Sequence, residues 1–168
     1  MSAPTAVAKR ISVGIGQLAV TKDPDAILIA YGLGSCIGVS IHDPSSRVVG
    51  MVHVLLPASE GKPQDPKEPA RFADYGIDLL MAKIAEAGGL KSRLLVKVTG
   101  GAAVLGSANA EKFKIGERNA ESVKERLKRH GLRIIAEDIG GTRGRTFELH
   151  ASSGKSFVRT AASSPIEL

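Results

Sequence analysis

The chain has 168 residues, 43% apolar and 24% charged, a balance that suits one soluble globular domain with a real core and excludes a disordered or collagen-like chain. No apolar run approaches the ~18 residues of a spanning helix and "MSAPTAVAKR" lacks a signal-peptide core, so a cytoplasmic protein without membrane insertion is expected. The net charge of +6 favours acidic partners, but four Phe, two Tyr and no Trp leave little for bases to stack on, so nucleic acid is not expected among them.

In chain order, "ISVGIGQLAVT" alternates apolar and small residues and "AILIAYG" is a short β-branched run. "CIGVSIH" and "RVVGMVHVLL" read as two further strands. Pro57 to Pro69 holds four prolines and no periodicity; it is a loop, open to two readings, a cover over a site or a plain connection. Phe72, Ile77, Leu80, Met81 and Ile84 have helical spacing, ended by Gly88-Gly89. "RLLVKVTGG" is a strand, "ERNAESVKERLKRHG" a second helix with a solvated basic face, "LRIIAEDIGG" a strand and "RTFELHASSGKSFVR" a closing hairpin. Strands first, with two helices inserted later, predict a single α/β domain over 1–168. Its core runs from about 11 to 160 between short flexible termini, and two main helices pack on one mixed, largely antiparallel sheet in a layered sandwich.

The chemistry concentrates around Cys36, the only cysteine, which excludes an internal disulfide. "HDPSS" reads as the turn of an antiparallel hairpin. Centred on Pro44-Ser45, it sets Cys36 opposite His53, Ile37 opposite Val52 and Ile41 opposite Val48, with Cys36, Gly38, Ser40 and His42 sharing one face. Opposed residues have Cβ atoms about 4.5–5.5 Å apart, close enough for sulfur to meet imidazole. An imidazolium there lowers a thiol pKa from ~8.5 into the range ~3.5–7.5 and makes a thiolate nucleophile. The glycines of "GLGSCIG" leave backbone N–H groups at Gly34 and Ser35 uncovered for a developing oxyanion. Against this stands the plainer reading of Cys36 as a small buried hydrophobe.

Other patterns fall away. "GLGSCIG" has Ile37 where a dinucleotide fingerprint needs its third glycine, and no helix follows. "SGKS" lacks the upstream glycine of a phosphate loop. His42, His53, His130 and His150 are scattered without an i,i+4 pair, which argues against a metal site. "GGTRGR" admits two readings: a flexible basic turn, or a grip on a carboxylate-rich partner through Arg143 or Arg145.

The segments "LGSCIGVSIHDP", "GMVHVLLP", "RFADYGIDLL", "TGGA", "IGERN" and "GGTRGRTFEL" resemble the CheD family of chemoreceptor glutamine deamidases over nearly the whole chain. The resemblance implies a layered α/β fold similar to the catalytic domain of deamidating toxins, a cysteine nucleophile at Cys36, and a histidine base and acid at His53. It implies no cofactor and no metal. Its partners are the cytoplasmic helices of methyl-accepting chemoreceptors, and in some cases a CheC-type phosphatase. The same machinery would cleave a methyl ester. The family's third catalytic residue, a threonine six places before the cysteine, is Ala30 here. Orientation of His53 then falls to a backbone carbonyl, to a neighbour such as Tyr31, or to nothing, and the last case favours an adaptor with weak catalysis. Thr99 and Gly100 of "TGGA", with Arg143 and Arg145, are the candidate substrate contacts.

Overall fold

The computed structural model describes residues 7–104 and 110–168; residues 1–6 of the expected domain lie outside them. Among the described residues are ten strands: β1 (Lys9–Ser12), β2 (Leu18–Thr21), β3 (Ala26–Leu33), β4 (Ile37–His42), β5 (Val49–Val54), β6 (Leu95–Gly100), β7 (Ile134–Ile139), β8 (Arg145–His150), β9 (Ser156–Arg159) and β10 (Ile166–Glu167). Two helices, α1 (Ala73–Glu86) and α2 (Ala110–Arg129), and a single 3-10 turn at Lys91–Arg93 complete the set.

The layered α/β sandwich with two main helices is as expected, but the strands divide into two sheets instead of one. Their orders are β1-β3-β8-β9-β10 and β2-β5-β4-β6-β7, antiparallel except at β1–β3 and β6–β7. The reason lies in "ISVGIGQLAVT", which is not one strand. It leaves the first sheet after Ser12, turns a corner at Gly14–Gly16 and enters the second sheet at Leu18. Gly16 has φ +74°, and a Cβ there would sit 2.7 Å from the Glu68 Cβ, so the corner requires glycine.

The second sheet is the middle layer. One face of β4 and β5, with Ile37, Val39, Ile41, Val52 and Val54, packs under α1 and α2 against Ile77, Leu80, Ile84, Val123 and Leu127. The other, with Val49 and Met51, meets Leu28, Ala30, Phe147 and Leu149 of the first sheet, and Cys36 belongs to this cluster. Being covered on both sides explains why β4 and β5 are nearly continuous apolar runs. Any polar side chain there is committed to internal bonding or to chemistry.

The β4–β5 hairpin forms, but in a register two positions from the expected one. His53 lies opposite Gly38, Val52 opposite Val39 and Val54 opposite Ile37. The loop is Pro44–Arg47 and is closed by Asp43. The Asp43 amide donates to the Val48 carbonyl at 2.9 Å, and its Oδ1 accepts from the Ser45 and Ser46 amides at 2.9 and 3.3 Å. The buried carboxylate also takes the Leu90 amide and the Arg93 guanidinium. A turn centred between Ser45 and Ser46 follows from that anchoring. Because the slip is by two residues, the assignment of side chains to faces survives it.

Candidate active site

Cys36 lies in the short turn between β3 and β4 and is 6% exposed. Every carbonyl of the turn is held. The Gly34 carbonyl accepts from the Ala102 amide at 2.8 Å, that of Ser35 from Asn119 Nδ2 at 2.9 Å, and that of Cys36 from the Gly101 amide at 2.9 Å. Among the described residues the amides of Gly34, Ser35 and Cys36 donate to no carbonyl. The turn thus presents donors beside the sulfur.

His53, in the middle of β5, is 2% exposed. The β1–β2 corner wraps its backbone: the His53 amide donates to the Gln17 carbonyl, and its carbonyl accepts from the Gly16 amide. Nδ1 lies 3.0 Å from the Val13 carbonyl, an acceptor only, so Nδ1 carries the ring proton and Nε2 keeps the lone pair. Nε2 is buried and has no partner among the described residues. Cys36 and His53 face the same way but are diagonal neighbours instead of directly opposed. Such Cα atoms stand about 7–8 Å apart, and among the described residues no hydrogen bond joins Sγ to Nε2 in the resting structure.

The electrostatics also differ from the expected ion pair. Burial pushes the Cys36 thiol up, partly offset by its own amide. Burial pushes the His53 imidazole down, partly offset by the Val13 carbonyl. Both shifts favour the neutral forms, a thiol beside a neutral imidazole. That arrangement suits a base that takes the sulfur's proton as the sulfur attacks.

Ala30 is fully buried in the same cluster as Cys36 and Val13 and offers no polar side-chain atom. Val13 reaches His53 because its amide continues the β1–β3 ladder to the Ile29 carbonyl at 2.7 Å. The backbone beside Ala30 therefore supplies the acceptor that its side chain lacks. Tyr31 does not: it is 51% exposed on the opposite face of β3, with its hydroxyl against Arg10.

The other candidate contacts are mostly structural. Thr99 is fully buried and its hydroxyl donates to the Asp138 carbonyl at 2.8 Å. Gly100 has φ +116°, and a Cβ there would fall 2.1 Å from the Cys36 carbonyl oxygen, so Gly100 is the surface against which the nucleophile's backbone rests. Arg145 is 6% exposed; it donates to the carbonyls of Asp138, Gly140 and Arg143 and pairs with the Asp138 carboxylate at 3.2 Å. It grips its own loop. That loop in turn braces the site, since the Gly140 amide donates to the Gly100 carbonyl at 2.9 Å and the Ala103 amide to the Gly141 carbonyl at 2.9 Å. Arg143 lends its carbonyl to Arg145, but the residue is exposed and its side chain makes no hydrogen bond among the described residues.

The Pro57–Pro69 loop is tied down. Ser59 donates through its amide and hydroxyl to Asp74 at 3.0 and 2.7 Å, and just after the loop the Ala70 amide donates to the Gly16 carbonyl at 2.8 Å, behind His53. Two parts of the site escaped sequence reasoning. The Val13 carbonyl carries no side-chain signal. Asn119 does: it shares a helical stripe with Val123 and Leu127, where a polar residue is out of place.

A family model described as CheD chemotactic sensory transduction matches residues 55–160, beginning just after His53. Curated relatives extend the match to nearly the full length. "Probable chemoreceptor glutamine deamidase CheD" of Symbiobacterium thermophilum is 42% identical over 158 residues, covering 94% of this chain and 96% of that protein. The protein of the same description in Desulforamulus reducens is 44% identical over 155 residues, 91% of this chain and 92% of that one. In Pyrococcus abyssi it is 40% identical over 151 residues, 90% and 91%.

Proposed function

Because the chain belongs to the CheD family, we propose that it is a chemoreceptor glutamine deamidase whose nucleophile is Cys36 and whose base and acid is His53. The observation that carries this reading is a buried thiol in a turn whose amides donate to no carbonyl among the described residues, on the same face as an imidazole whose Nδ1–H is held by the Val13 carbonyl and whose Nε2 has no partner among those residues.

The reaction begins as Sγ attacks the carbon of a glutamine side-chain amide while Nε2 takes the thiol proton. The C=O bond opens to an oxyanion, which the amides of the Gly34–Cys36 turn receive. The imidazolium gives its proton to the departing nitrogen, the C–N bond breaks, and ammonia and a thioester remain. Nε2 then takes a proton from water, the hydroxide adds to the thioester, and the C–S bond breaks. The proton returns to sulfur, leaving glutamate.

The substrate surface is the cytoplasmic helical part of a methyl-accepting chemoreceptor, which places the reaction in the cytoplasm. No described helix is long and apolar enough to cross a membrane. Ile15, exposed between the corner glycines, and Val104, whose Cγ2 lies against Gly34, supply apolar rims that suit a helix surface. A CheC-type phosphatase that occupies this surface would compete with the receptor. The adaptor reading rested on the missing threonine; the Val13 carbonyl at His53 Nδ1 supports the catalytic reading instead. Incubating a receptor cytoplasmic fragment with the protein tests the proposal: conversion of glutamine to glutamate supports it, and no conversion of fragments that bind counts against it.

A further inference from the structure

We propose that Asn119 is a positioning residue that clamps the turn carrying Cys36 to the end of the strand carrying His53, an inference that rests on the deamidase reading above. Asn119 is fully buried on α2. Its Nδ2 forks, donating to the Ser35 carbonyl at 2.9 Å and to the Leu55 carbonyl at 3.0 Å. Ser35 immediately precedes the nucleophile, and Leu55 follows the base by two residues. A single planar amide therefore spans the two chain segments whose separation decides whether Sγ and Nε2 can meet.

The rest of the helix explains why the amide is placed there. Asn is a poor residue for a helix interior, and the neighbouring buried positions on its stripe, Val123 and Leu127, are apolar. At that position it supplies donors to two part-buried carbonyls, at Ser35 and Leu55, that take no backbone amide among the described residues. One turn earlier on the same helix, Gly116 lies so close to Gly101 that a Cβ would sit 2.9 Å or less from the carbonyls of Gly101 and Ala102. Gly101 is the residue whose amide holds the Cys36 carbonyl. Thus α2 bears on the nucleophile turn at two points. Asn119 Oδ1 and His53 Nε2 are the buried side-chain atoms without partners among the described residues, and both belong to residues that frame this turn. Among the described residues Asn119 hydrogen-bonds to neither thiol nor imidazole, so its effect passes through the backbone.

The test compares wild type with Asn119→Ala and Asn119→Gln, the second keeping the amide one methylene further out. Three quantities are read: melting temperature, kcat and KM on a receptor cytoplasmic fragment, and the pH dependence of Cys36 alkylation by iodoacetamide in the free protein. The expected result for Asn119→Ala is a kcat lowered at least tenfold with KM within twofold. Its alkylation inflection moves down toward an ordinary thiol as the turn loosens, and Asn119→Gln recovers part of kcat. If the alanine variant does not fold, Asn119→Ser carries the same comparison. A folded variant with wild-type kcat and alkylation profile overturns the clamp. So does a loss of activity that only follows the unfolded fraction. If wild type converts no receptor fragment while the alkylation shift still appears, the clamp stands and the deamidase reading fails.

Discussion

Gly100→Ala isolates the support beneath the nucleophile. At φ +116° any side chain is strained, a cost of about 1–3 kcal/mol. The new Cβ would also lie 2.1 Å from the Cys36 carbonyl oxygen, so the turn must retreat by about 1 Å and the Gly101–Cys36 bond, worth about 1 kcal/mol, is stretched or lost. The total is about 2–4 kcal/mol, which for a domain of this size lowers Tm by about 5–15 °C. A 1 Å displacement of a reacting group costs about 10²-fold in rate. Gly131→Ala is the control: φ is +74° there, but no atom lies within 4 Å, so strain acts alone. Thermal unfolding and deamidation kcat, measured on both variants, should show two to three times the Tm loss for Gly100→Ala and a kcat loss confined to it. Equal kcat in the two folded variants would refute the claim that Gly100 positions Cys36.

Three further outcomes follow from the same geometry. Ala30→Thr crowds a fully buried position and should cost about 1–3 kcal/mol in urea unfolding; because the Val13 carbonyl already holds Nδ1–H, kcat should change less than about threefold, and a gain above about tenfold would contradict that role for Val13. Alkylation of Cys36 in the free protein should rise with an inflection above the ordinary thiol value of ~8.5, whereas kcat/KM should rise through a His53 pKa below ~6.5; an alkylation plateau at neutral pH would reveal a resting ion pair instead. Asp43→Asn should destabilise by about 3 kcal/mol, since it removes a buried charge from Arg93 and three amides. Burial opposes the Asp43 charge, but the Arg93 guanidinium and those amides outweigh it and hold its carboxyl well below the usual range. Its contribution is therefore present above about pH 4 and lost as pH falls toward the folded value, and wild type should lose more stability than the variant on acidification.

The legible parts of this chain were those with a period. Alternation in "CIGVSIH" and "VVGMVHVLL" assigned side chains to the correct faces of β4 and β5, and the 3.6-residue spacing from Phe72 to Ile84 marked α1. Register was not legible, because the loop is set by Asp43 bonding to Leu90 and Arg93 far along the chain. The division into two sheets was hidden for a similar reason, since the Gly14–Gly16 corner only has meaning once Glu68 packs against it. Arg145 reads as an exposed basic residue in "GGTRGR", yet it is spent on the carbonyls of its own loop. The acceptor that orients His53 is a backbone carbonyl from the neighbouring strand, which no side chain announces.

The most direct measurement is mass spectrometry of a chemoreceptor cytoplasmic fragment incubated with wild type and with Cys36→Ala, reading the roughly one-dalton gain of glutamine-to-glutamate conversion that a cysteine acyl transfer predicts. The account predicts the gain with wild type alone. Equal conversion by Cys36→Ala, or none by wild type on a fragment that it binds, would contradict it.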